Sequence, residues 1–137
     1  MDDVIKEFLL ETHDNLDQMD QDLVALEQDP ESSELLARIF RTLHTIKGTC
    51  GFLGFSKLES VVHVSENLLS KLRNGELLLN QDIATALLDI SDAVRAIVAV
   101  IEESHQEGSV DYSKLIAQIE QFQTGQGLGP KDVAAKI

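Results

Sequence analysis

The stretch Asp3–Glu27, DVIKEFLLETHDNLDQMDQDLVALE, places Ile5, Leu9, Thr12, Leu16, Met19, Leu23 and Leu26 at alternating steps of four and three, with Phe8 beside Leu9. That spacing lays one apolar stripe along about seven turns of α-helix and fits no strand, whose faces alternate every second residue. Asp29 and Pro30 end this first helix, and Ser32 or Ser33 can cap a second one that buries Leu36, Ile39, Leu43, Ile46, Cys50 and Leu53 and stops near Gly54. A third helix is expected after Ser56, a suitable N-cap with Glu59 three residues on. It carries Leu58, Val61, Val62, Ser65, Leu68, Leu69 and Leu72 up to Asn74 and Gly75. A fourth, from near Asn80 to near Gly108, presents Ile83, Leu87, Ile90, Val94, Ile97 and Ile101. A shorter fifth, from Asp111, presents Leu115, Ile119 and Phe122. Four long amphipathic helices joined by short turns form an antiparallel up-and-down four-helix bundle, because short loops force neighbours to run in opposite directions. The fold class is therefore all-α, with an additional C-terminal helix. Residues 1–123 form the bundle, and 124–137, opening on TGQGLGP, form a glycine-rich linker and the start of a following segment.

Composition agrees with this class and narrows the function. The 137 residues are 43% hydrophobic, which argues against disorder; two prolines and no tryptophan leave little material for a turn-rich β-sandwich. The net charge of −13 has the wrong sign for binding nucleic acid or anionic lipid. No apolar run reaches the roughly 18 to 20 residues of a membrane span, and the acidic start lacks the basic flank of a signal peptide, so the expectation is a cytoplasmic domain without direct membrane insertion. A single cysteine, Cys50, can form neither an internal disulfide nor a multi-thiolate metal site.

Function has to come from residues that a bundle does not need. On a helical wheel with Ile39 at zero, the apolar centre of the second helix lies near 20°, whereas His44 falls at about 140°, pointing sideways or outward. Lys47 falls at about 80°, and Gly48 and Gly51 flank the histidine at about 180° and 120°. Interior glycines cost up to about 1 kcal/mol each relative to Ala, so two beside one exposed histidine imply that bulk is kept away from it. On the third helix Glu66 and His63 form an i, i+3 pair on one edge. A carboxylate that accepts a hydrogen bond from one imidazole nitrogen leaves a lone pair on the other; Glu66 to His44 and Glu66 to His63 both satisfy this. Charge adds to the contrast. Residues 1–31 carry a net −10, whereas residues 38–73, with Arg38, Arg41, Lys47, Lys57, Lys71 and Arg73, carry +4. A basic zone around an exposed histidine suits a phosphoryl group or an acidic protein surface. Phe40 at about 100° on the wheel, with Arg41 and Gly51, is expected to belong to the docking surface.

The segment Leu43–Phe55, LHTIKGTCGFLGF, followed by Val62–Gly75, VHVSENLLSKLRNG, resembles the histidine-containing phosphotransfer (HPt) domain, most of all the N-terminal phosphoacceptor domain of CheA-type chemotaxis histidine kinases. The resemblance covers about residues 1–123. It implies that His44 takes the γ-phosphoryl group of ATP from a histidine kinase ATP-binding domain and passes it to an aspartate of a response regulator receiver domain. It also implies that Lys47 neutralises phosphoryl oxygens, that Gly48 keeps the site open, and that Glu66 with His63 orients the imidazole. On this reading the domain binds no cofactor of its own, ATP and Mg²⁺ being used by partner domains, and the parent protein is a transferase.

Imidazole chemistry fits that role: with a reference pKa of about 6.5, histidine offers a neutral nitrogen nucleophile near pH 7, which a lysine does not. Alternatives from other classes are a free-standing phosphorelay protein, a non-catalytic helical interaction module and a metal-binding bundle. The last would need inward-facing carboxylates and Glu-x-x-His pairs, whereas Glu59 and His63 are four apart and the predicted internal faces are apolar. No metal ligand is therefore assigned. His13 and His105 are expected to be ordinary surface residues, His105 complementing the dipole at the end of the fourth helix.

Overall fold

The computed structural model describes residues 2–123, which form five helices: α1 Asp2–Gln28, α2 Ser33–Leu53, α3 Ser56–Arg73, α4 Gln81–Ser104 and α5 Ser113–Gln123. The expected linker and tail, 124–137, lie outside the described residues. Neighbouring helices run antiparallel, as the residues that meet across each seam show. Between α2 and α3, Phe40 faces Arg73, His44 faces Glu66 and Gly51 faces Glu59. Between α1 and α4, His13 meets Glu102, and Asp20 meets both Ser91 and Arg95. The ring closes α1–α2–α3–α4–α1, and α5 lies on α3 and α4. The centre is made of the expected stripes: Leu16, Met19, Ile39, Leu43, Ile46, Leu58, Leu69, Ile90 and Ile101 are all essentially inaccessible. Burying one such side chain contributes about 1.5 to 3 kcal/mol, so the apolar stripes rather than local helix propensity hold these helices in place.

The helix ends follow local chemistry with some departures from expectation. Ser32 Oγ accepts from Leu35 N, and Asn80 Oδ1 accepts from Ile83 N at 2.8 Å, each satisfying an otherwise orphaned donor. Gly54 closes α2 in the left-handed conformation (φ 83°), which glycine adopts without a Cβ penalty. Ser56, however, is the first helical residue and not a cap. The N-cap position belongs to Phe55, which offers no side-chain bond, and the start of α3 is served by Glu107, which reaches across from the α4–α5 connection to accept from Leu58 N at 2.7 Å. α4 ends at Ser104, short of Gly108, because His105 itself takes the left-handed conformation (φ 63°). α5 begins at Ser113, with Asp111 Oδ1 accepting from its N–H, two residues later than expected. Leu77, in the α3–α4 connection, is buried, and Phe55 is buried with its ring 5.7 Å from that of Phe8. Among the described residues no helix is long and apolar enough to cross a membrane.

Candidate functional site

α2 and α3 present the site at mid-height along their shared seam. The stripe Ile39–Leu43–Ile46–Cys50 turns one side of α2 inward and leaves His44 on the other, with its side chain 66% exposed. The helix continues through Gly48 to Leu53, and a Cβ at Gly48 would meet no atom within 4 Å, so the backbone beside the histidine is bare. Gly51 lies elsewhere: a Cβ there would come within 3.0 Å of a Glu59 carboxylate oxygen, the mobile tip of a side chain, so this glycine borders the α2–α3 seam rather than the bare face beside His44.

Glu66 is the pivot. It is expected at the edge of α3 and is instead buried, its side chain only 6% exposed, with each carboxylate oxygen claimed by α2: Oε2 lies 2.5 Å from His44 Nδ1 and Oε1 lies 2.7 Å from Lys47 Nζ. Burial by itself would raise the Glu66 pKa. Hydrogen bonds from Lys47 and His44, together with their positive charge, outweigh it and hold the carboxyl below the usual carboxylate range. An ionised carboxylate can only accept, so Nδ1 carries the proton, and in the neutral ring it is Nε2 that holds the lone pair. Nε2 has no partner among the described residues and faces solvent with the exposed edge of the ring. The arrangement is a fixed tautomer with an open nucleophile.

Two further side chains hold the ring. Phe40, one turn before His44, stacks with it at 6.1 Å between centroids and 12° between planes, and the Arg73 guanidinium from the end of α3 sits 4.9 Å from the Phe40 centroid. Phe40 is thus half-buried and is one wall of the site. Arg73 entered the sequence reading only as a unit of charge; its position near the C-terminus of α3, opposite the start of α2 in an antiparallel pair, was the available signal.

Other expectations need correction. His63 is exposed and makes no hydrogen bond or ion pair with Glu66 or His44, because it is turned a few tens of degrees from the α2 seam towards solvent. Of the two pairings open to Glu66, the structure forms the one with His44. Lys47 is committed to Glu66 and does not stand as a free cation. The basic zone is also partly neutralised: Arg38 bonds Asp22 of α1 at 2.8 Å and approaches Glu34, and Lys71 pairs with Glu76, while Lys57 is engaged by the carbonyls of Gly108 and Val110. Arg41 and Arg73 have no carboxylate partner among the described residues. Cys50 is buried, with its thiol pushed up to about 12 by desolvation and by the Glu59 charge, so it is unreactive at neutral pH. Among the described residues no group of three or more His, Cys, Asp or Glu is placed to hold a metal ion. One Glu-x-x-His spacing does occur, Glu102 to His105, but both residues are exposed at the end of α4, and Glu102 lies 3.3 Å from His13.

The model of the Hpt domain family matches residues 3–125. The chain belongs to the Hpt domain family. Its relatives include the sensor histidine kinase CheAY of Helicobacter pylori, 37% identical over 74% of this chain, and the chemotaxis protein CheA of Listeria monocytogenes, 30% identical over 82%. The Hpt domain spans only 13% and 18% of the length of these two proteins. Solved structures agree. The histidine phosphotransfer domain of CheA matches with a TM-score of 0.82 at 30% identity, covering 89% of this chain and 92% of that one. The phosphorylated P1 domain of CheA3 in complex with CheY6 from R. sphaeroides matches with a TM-score of 0.78 at 27% identity, covering 93% and 98%.

Proposed function

We propose that His44 is the phosphoacceptor and phosphodonor of a chemotaxis-type two-component pathway. The observation that carries the reading is the 2.5 Å contact of His44 Nδ1 with a buried, ionised Glu66 while Nε2 stays open to solvent. In the first step the Nε2 lone pair attacks the γ-phosphorus of ATP held by a histidine kinase ATP-binding domain; the Pγ–O bond breaks and ADP leaves. In the second, a carboxylate oxygen of a receiver-domain aspartate attacks the same phosphorus, the P–N bond breaks, and its electron pair returns to Nε2. Glu66 is the positioning residue in both steps, holding the proton on Nδ1 and stabilising the positive charge that the ring acquires. Phosphoryl transfer depends chiefly on positioning and charge neutralisation, so ATP and Mg²⁺ held by partner domains supply what this domain lacks. Lys47 fixes Glu66, and the bare backbone at Gly48 admits both partners. The proposed setting is the cytoplasm, and the proposed parent is a histidine kinase, in keeping with the CheA relatives. His44→Gln, offered the kinase domain of its parent and ATP, is expected to fold and to gain no acid-labile phosphate; undiminished labelling, or label mapped to His63, overturns the assignment.

A further inference from the structure

Phe52 is 81% exposed, the most exposed large hydrophobic residue among the described residues. Isolated surface hydrophobics are ordinary, and Val4, Leu10, Val24, Leu78, Leu88 and Val110 are others on this domain. Phe52 differs in being the aromatic one and in sharing α2 with His44. Eight residues separate the two, about 12 Å along the helix axis, and each four-residue step turns by about 40°, about 80° in all, so His44, Gly48 and Phe52 wind as one strip along the outward side of α2 within about a quarter-turn. The middle of that strip is bare, since nothing lies within 4 Å of a Cβ at Gly48. Arg41, exposed and without an ion-pair partner among the described residues, extends the strip past the histidine in the other direction. Phe40 and Lys47 lie on the opposite side of His44, turned to α3 and already in contact with Arg73 and Glu66.

We infer that Phe52 is the apolar anchor for the receiver domain that removes the phosphoryl group from His44. The inference rests on the phosphotransfer reading above. A globular partner whose aspartate reaches Nε2 covers about 800 Å² of this surface, a patch of about 16 Å radius, which includes Phe52. The receiver, and not the kinase domain, is the occupant for two reasons. The relatives carry more than four-fifths of their length outside the matching segment, and a kinase domain on the same polypeptide meets His44 at high effective concentration without an anchor. A receiver arrives from solution and needs affinity from the contact itself. Its phosphoacceptor is an aspartate, an acidic group that Arg41 attracts and the net −10 of residues 1–31 repels.

The test uses the full chain, phosphorylated in advance with phosphoramidate, and a CheY-type receiver from the same organism with Mg²⁺ at rising concentration. Phe52→Ser is expected to raise the receiver KM about 10- to 100-fold, the fold-change for losing a buried aromatic, with kcat within about twofold of wild type. Phe52→Leu should recover most of the loss, Val24→Ser should have no effect, and phosphorylation by phosphoramidate or by the parent kinase should be unchanged throughout. An unchanged KM in Phe52→Ser, or a defect confined to the kinase step, overturns the inference while leaving the phosphotransfer reading intact. Failure of the wild-type chain to take up phosphate at His44, or to pass it to a receiver, overturns that reading instead.

Discussion

Glu66→Gln tests the chemistry of the site with almost no change of shape. The new amide has one oxygen and one NH₂ where the carboxylate had two acceptors. The Lys47 ammonium, 2.7 Å away, offers only donors, so the amide oxygen must face Lys47 and the NH₂ must face His44 Nδ1. That contact requires Nδ1 as acceptor, which moves the ring proton to Nε2 and removes the nucleophilic lone pair. Reversing the tautomer costs about 1 kcal/mol, one neutral hydrogen bond, and losing the carboxylate that supports the developing imidazolium costs about 1 to 2 kcal/mol more. Together these predict a phosphorylation rate about 30- to 150-fold lower. Stability should move far less, within about 1 kcal/mol, because the lost ion pair is offset by no longer burying a charge. The assay is ¹⁵N NMR of the His44 imidazole beside the phosphorylation rate. Retention of the Nδ1–H pattern, or wild-type kinetics in a variant whose tautomer has switched, refutes the orienting role of Glu66.

Three further outcomes are expected. Arg38→Met leaves the 2%-exposed Asp22 carboxylate with Gln18 alone and should lower the midpoint of chemical denaturation; adding Asp22→Leu should restore most of the loss, and an unchanged midpoint in Arg38→Met would show that the buried carboxylate is not held by this pair. Because the folded pKa of Glu66 is depressed, its pairing contributes stability that is complete above the unfolded value of about 4.3 and is lost as pH falls through the lower folded value. The stability difference between wild type and Glu66→Gln should therefore shift towards the variant as pH falls below about 4. A chain ending at Gln123 should unfold as cooperatively as the full chain, whereas one ending at Ala117 loses the buried Ile119 and Phe122 and should be less stable by about 4 kcal/mol or more.

The bundle was legible because its information is periodic: a four-three alternation such as Ile5–Leu9–Thr12–Leu16 admits one secondary structure and one buried face. The outward direction of His44 was legible for the same reason. What failed to read through was anything decided between helices. Glu66 lies off the apolar stripe of α3, which marks it as an edge residue in isolation; it is buried because α2 brings both Lys47 and His44 over it. His63 shares that edge on a wheel, but a few tens of degrees of rotation about the seam put it in solvent. Ser56 has the right chemistry for a cap and loses the position to Phe55, whose ring is drawn into the core against Phe8, and the donor it would have satisfied goes to Glu107, 49 residues away. Summed charge misled in the same way, since Arg38, Lys57 and Lys71 count as basic along the chain and are spent on partners in space.

The two roles proposed for His44 account for the burial of a carboxylate here. A nucleophile that must enter two different partner sites has to stand clear of its own protein, which forbids enclosing it and leaves its tautomer to water, where the two neutral forms interconvert freely. Fixing the proton from beneath, at Nδ1, is the one arrangement that orients the ring and leaves Nε2 exposed. A neutral acceptor below the ring would do this weakly; an ionised one does it strongly but would tend to protonate in the apolar seam. Lys47, itself mostly covered, keeps Glu66 ionised, and it can do so only from within α2, one turn beyond the histidine, where the same carboxylate reaches both. The spacing of His44 and Lys47 thus follows from the reach of a single carboxylate, so moving the lysine one residue along α2 should cost the tautomer even though the charge of the site stays the same.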